Sequence, residues 1–151
     1  MKSNFSINSA VIAGLVATVA MTMFTFMAPL MGFEMNIPKM LSSTMGAPIV
    51  VGWLAHFMIG TILAVTYAAI YLPYTKQSAG VKSGLIFSII PWLMAQIIVM
   101  PMMSMMNGGS YASGLFSGSI MIAMASLIGH LLFGVVLGLL YKQISVKTVI
   151  A

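Results

Sequence analysis

Ile49-Val-Val-Gly52-Trp-Leu-Ala-His56-Phe-Met-Ile-Gly60-Thr-Ile-Leu-Ala64-Val-Thr-Tyr67-Ala-Ala-Ile-Tyr-Leu-Pro73 is a run with one ionisable side chain of the kind that titrates near neutrality, His56, and no Asp, Glu, Lys or Arg. A stretch this long and this apolar meets the length of about 20 residues that crosses the hydrocarbon core of a bilayer. Three more such stretches occur, at about residues 9 to 32, 83 to 106 and 117 to 141. With 61% hydrophobic and 5% charged residues and a mean hydropathy of +1.12, the chain lies far from the roughly 25% charged composition of soluble domains. Water is absent from the bilayer core, so each stretch must satisfy its backbone groups internally as a helix. The sequence therefore predicts an all-α polytopic membrane four-helix bundle, one domain over residues 1 to 151.

The second and fourth stretches match. Gly52-Trp-Leu-Ala-His56-Phe-Met-Ile-Gly60 aligns with Ser126-Leu-Ile-Gly-His130-Leu-Leu-Phe-Gly134, at offsets of 130 − 56 = 74 and 134 − 60 = 74, and the same step carries Tyr67 to Tyr141. A weaker echo relates Met-Ala-Pro29-Leu-Met-Gly to Val-Met-Pro101-Met-Met-Ser, at 101 − 29 = 72. Two hairpins of the same orientation follow, related by a pseudo-two-fold axis along the membrane normal. If the second and fourth helices face each other across that axis, His56 and His130 lie opposite at one depth.

Charge gives the orientation. Lys2, Lys76, Lys82, Lys142 and Lys147 fall on the side shared by the termini and the middle loop, and the other side carries only Glu34 and Lys39. The positive-inside rule puts both termini in the cytoplasm. The net charge of +5 is then a topology signal, and no clustered basic face argues for nucleic acid. The first stretch exceeds the 7 to 15 residues of a secretory h-region and lacks a small-x-small cleavage site, so it is read as a retained helix. Loops are expected at about 33 to 48, 74 to 82 and 107 to 116, punctuated by Pro38, Gly46, Pro48, Pro73, Gly80, Asn107, Gly108 and Gly109.

An ionisable residue inside a span is a functional hypothesis by default. His56, Gly60, Ala64 and Tyr67 share one helix face, as do His130, Gly134, Gly138 and Tyr141. One reading is close helix pairing, with small residues admitting a neighbour and the histidine bonding a nearby helix or a Ser or Thr. The other is haem b held by His56 and His130, with Gly60 and Gly134 leaving room for the macrocycle, since imidazole ligates haem iron and bundle cores house cofactors. The chain has no arginine, which leaves haem propionates few cationic partners.

Of the seventeen methionines, all but Met1 cluster toward the outer half. Thioethers select Cu(I), so Met27, Met31 and Met35 with Met102, Met103, Met105 and Met106 form a candidate copper site on the rim. Methionine is equally an adaptable gap-filler. Gln96 is expected to bond across helices or to a carbonyl freed by proline, and Trp53, Tyr67, Tyr71, Tyr74, Tyr111 and Tyr141 to sit in interfacial belts. Glu34 is the only carboxylate side chain and cysteine is absent, which removes paired carboxylates, Ser-His-Asp triads, thiolate sites and disulfides. No phosphate loop is present. These absences point away from an enzyme.

The block Met-Ala-Pro29-Leu-Met-Gly, the segment Gly-Trp-Leu-Ala-His56-Phe-Met-Ile-Gly and the segment Gly-His130-Leu-Leu-Phe-Gly-Val-Val-Leu-Gly-Leu-Leu-Tyr together resemble a family of small bacterial four-helix membrane proteins of unknown function. The likeness covers nearly the whole chain. It implies the same four-span fold in the cytoplasmic membrane and brings no activity. The expected role is an accessory or scaffolding subunit of a larger membrane complex, in contact with lipid and with other subunits or a second copy. A small haem-binding electron carrier is the alternative, and copper(I) binding the third.

Overall fold

The computed structural model describes residues 3–142, 144 and 145. Four helices are long and apolar enough to cross a membrane: α1 (Ile7–Leu30), α3 (Ile49–Thr75), α4 (Val81–Met106) and α6 (Ile120–Leu140). Two short helices join them at the far end, α2 (Ile37–Thr44) between α1 and α3, and α5 (Tyr111–Gly114) between α4 and α6. The first and last described segments lie together at one end, the terminal end. Ser3–Asn4 pairs antiparallel with Ile144–Ser145, the Lys142 amide donates to Ser9 Oγ at 2.7 Å, and the Ser6 amide to the Tyr141 hydroxyl at 3.3 Å. Lys2 and Lys147 lie outside the described residues.

The bundle is assembled from small residues and faces the membrane with large ones. Ala10, Ala13, Ala17 and Ala64 are fully buried, whereas Ile12, Leu54, Ile62 and Leu139 are more than half exposed. Lipid tails are as apolar as leucine, so helices associate through close packing and not through hydrophobic expulsion. Within each hairpin the closest approach runs through a glycine. A side chain at Gly60 would strike Thr18 of α1, and one at Gly134 would strike the Gly84 carbonyl and come within 2.7 Å of Ser88 Oγ of α4.

Round the bundle, α1 packs on both α3 and α6, and α6 packs on α4. The fourth interface, α3 against α4, is made mainly at the terminal end, where Tyr67 donates to or accepts from Ser83 at 2.7 Å and its ring meets Phe87 at 5.2 Å. Nearer the far end these two helices part. Each hairpin packs within itself, but the two meet unequally, because α1 closes on α6 while α3 does not close on α4.

Three local expectations need correction. The segment expected to be a loop at about 33 to 48 contains α2: Asn36 Oδ1 accepts from the Lys39 amide at 3.0 Å and Pro38 stands in the first turn, so a capped start replaces the expected break. The fourth span starts at Ile120, since Phe116 (φ 49°), Ser117 (φ 58°) and Gly118 (φ 68°) are left-handed and cannot belong to it. Tyr67 and Tyr141 stand at the terminal end but do not turn to the membrane as belt residues would: they are buried in an aromatic cluster with Tyr71 and Phe87, their hydroxyls meeting Ser83 and the Ser6 amide.

Candidate functional site

His56 is oriented by α1. Thr18, Thr22 and Thr25 lie on one buried face of that helix, and each hydroxyl donates to a carbonyl of its own helix: Thr18 to Gly14 at 2.7 Å, Thr22 to Thr18 at 2.7 Å, Thr25 to Thr22 at 2.9 Å. The Thr22 hydrogen is thus committed, and its oxygen lies 2.9 Å from His56 Nε2. With that hydrogen on the Thr18 carbonyl the oxygen accepts, which assigns the ring hydrogen to Nε2 and leaves the Nδ1 lone pair without a partner among the described residues.

His130 reaches the complementary state by another route. Its Nδ1 lies 2.8 Å from the carbonyl of Ser126, one turn back on α6. A carbonyl accepts only, so Nδ1 carries the hydrogen and Nε2 is bare. The two rings share a depth. His56 meets Thr22, while Gly129, next to His130, faces Met21, whose nearest atom would lie 3.5 Å from a Cβ there. Adjacent residues of α1 therefore mark both levels.

Both histidines line one cavity of about 520 Å³, partly open, between α3 and α4. That volume is in the range of small-molecule sites, roughly 300 to 1,000 Å³. Its floor is Phe133, above the aromatic cluster of the terminal end, and its roof is formed by Met35, Ile37 and Met40 around α2. Gln96, 1% exposed, enters from α4 within a π-helical turn, Ala95–Val99. Its Nε2 donates to Ser126 Oγ at 3.3 Å and its Oε1 accepts from Ser117 Oγ at 2.7 Å. The first bond ties α4 to α6, as the expectation of an interhelical glutamine required, and the second ties α4 to the segment between α5 and α6. The strained left-handed Ser117 is held by the same contact, a type of conformation that clusters at functional sites.

The remaining sequence candidates divide. Gly60 lines the cavity yet abuts Thr18, and Gly134 is spent on the α4 contact, so both glycines serve helix approach. Of the rim methionines, Met35 and Met103 are buried and line the cavity, while Met27, Met102, Met105 and Met106 are exposed by 54% or more. The Met31 side chain lies outside the described residues. Glu34 and Lys39, the only charged residues of the far end, border the roof and are exposed.

A family model described as a family of unknown function, DUF6789, matches residues 5–150. The chain belongs to the DUF6789 family. No curated protein and no solved structure matches it. Membership of DUF6789 attaches no activity, so function rests on the site itself.

Several residues of this DUF6789 site escape a reading of the sequence. Thr22 stands 34 residues from its histidine and threonine is ordinary in a span, so nothing marks it. Ser117 and Ser126 are equally plain. The roof was detectable: Asn36-Ile-Pro38 is a helix-start signal.

Proposed function

We propose that the protein is a non-enzymatic integral membrane protein that holds a small apolar molecule within its bundle and acts as an accessory subunit or carrier in a membrane complex. The observation that supports this is the cavity of about 520 Å³ lined by two oriented imidazoles, each with one ring nitrogen that has no hydrogen-bond partner among the described residues. The single carboxylate side chain, Glu34, is exposed at the far end and borders the roof, so no pair of carboxylates supports acid/base chemistry in the cavity. Placement in a cytoplasmic membrane with the termini inside is supported by Lys76, Lys82 and Lys142 at the terminal end.

Mass spectrometry after mild detergent purification and denaturation tests this reading. A molecule released at about one per chain, and lost when Ala95→Trp fills the cavity, is the expected result. Release of bulk lipid in its membrane proportions, unchanged by Ala95→Trp, overturns it.

Haem b is the second reading, favoured by His56 and His130 standing at one depth on a shared cavity. Iron would take the bare nitrogens, Nδ1 of His56 and Nε2 of His130. A Soret band in protein expressed with haem supply, lost in His130→Ala, is the outcome this reading needs. A copper rim draws less support, since its methionines divide between surface and cavity.

A further inference from the structure

The cavity's polar groups differ in what they offer. Thr18 and Thr22 have given their hydrogens to α1 carbonyls, Ser117 has given its own to Gln96, and the Gln96 amide is engaged at both ends. At the level of the imidazoles, the free capacity is two acceptors, His56 Nδ1 and His130 Nε2, beside the Ser126 hydroxyl, which accepts from Gln96 and commits no hydrogen among the described residues. Neither imidazole nitrogen is a sealed orphan. Among the described residues the one buried side-chain nitrogen or oxygen without a partner is the Tyr71 hydroxyl, so the two nitrogens open onto space. A ligand that satisfies this site presents two hydrogen-bond donors on an otherwise apolar body.

Size and access narrow the class. A lone metal ion would leave most of about 520 Å³ empty, given that even a water occupies about 30 Å³. The walls are chiefly apolar, with Met21, Met94 and Met100 supplying polarizable sulfur that packs favourably on aromatic edges. The cavity fills the divergence of α3 from α4, a gap between two spans that meet at their terminal ends. Entry from the bilayer suits a molecule dissolved in it.

We propose that the cavity is a binding site for a membrane quinol, selecting the reduced hydroquinone over the oxidised quinone. Each phenolic hydroxyl of the reduced head group donates to one bare imidazole nitrogen, and the Ser126 hydroxyl donates back to a phenolic oxygen. The oxidised head group has carbonyls only. It would set lone pair against lone pair at both histidines and leave each unpaired on burial. This ligand class rests on the reading that the cavity holds a small apolar molecule.

The experiment is equilibrium binding of decylubiquinol and decylubiquinone, under anaerobic conditions, to the full chain in lipid nanodiscs. The expected result is quinol binding tighter by about tenfold or more, the scale of one to two hydrogen bonds. His56→Phe and His130→Phe keep ring volume and remove the acceptor, and each is expected to bring the ratio of the two affinities toward unity. Should either variant fail to fold, the wild-type ratio decides alone. Equal affinities, tighter quinone binding or no binding of either form overturns the proposal. If neither form binds while denaturation still releases another molecule at about one per chain, the quinol assignment falls and the parent reading stands.

Discussion

At the scale of the residue, the decisive object is the Thr22–His56 pair. Thr22→Val keeps shape and removes the acceptor, which leaves the His56 Nε2 hydrogen unpaired in an apolar wall. A loss of about 1 to 3 kcal/mol is expected, seen as a lowered unfolding temperature in detergent. In the His56→Phe background the same change should be nearly silent, and equal losses in both backgrounds would show that the pair contributes nothing. The glycines make a second test. Gly134→Ala places a methyl against the Gly84 carbonyl and Ser88, where backbone cannot yield cheaply, whereas Gly80→Ala meets nothing within 4 Å. Gly134→Ala should destabilise by about 1 to 3 kcal/mol and Gly80→Ala by less than about 1. Legibility at this scale tracks rarity. Two histidines among four apolar runs stand out, so the pair could be read from sequence. Their partners could not, because a threonine hydroxyl and a helix carbonyl leave no signature and the contacts span separate helices.

At the scale of the element, α2 acts as a roof, and its seat is the passage of the Pro38 carbonyl against Gly52 of α3. A side chain at Gly52 would strike that carbonyl and lie 3.0 Å from Ser42 Cβ. The chain has no cysteine, so Met103→Cys gives a single thiol on the cavity wall beneath the roof. Gly52→Leu should raise the rate of its modification by a water-soluble maleimide about tenfold or more, equivalent to about 1.4 kcal/mol of roof opening. An unchanged rate would mean that α2 does not cover the cavity. The spans themselves were legible from hydropathy because the bilayer demands length and apolarity whatever the packing. The roof was legible only at its start, through the Asn36-Ile-Pro38 cap, since α2 is eight residues long and half polar and shows no period. Pro101 shows the same limit. Proline lacks the amide that would bond the Ile97 carbonyl, and the Tyr111 hydroxyl of α5 donates to that carbonyl instead at 2.5 Å. A proline in a span announces a freed carbonyl but not who satisfies it.

At the scale of the whole molecule, the sequence match between the His56 and His130 segments leads one to expect two imidazoles at one depth, but it does not foresee the cavity. A strict two-fold would make the α1–α6 and α3–α4 interfaces alike, and it is their inequality that opens the space. That inequality has a physical source in side-chain size. Ala10, Ala13 and Ala17 let α1 lie close to its neighbours, while the α4 residues facing the gap include Met94, Met100 and the bulk of Gln96. Orientation is the remaining global property, and charge alone argues it. Lys76, Lys82 and Lys142 stand at the terminal end, against Lys39 with Glu34 at the other, so the cavity roof is expected to face away from the cytoplasm. Ala112 and Ser78 are exposed at opposite ends, within α5 and between α3 and α4 respectively. A membrane-impermeant maleimide applied to intact cells should label Ala112→Cys and spare Ser78→Cys, and both should label once the membrane is opened. Labelling of Ser78→Cys alone in intact cells would invert the topology and turn the roof toward the cytoplasm.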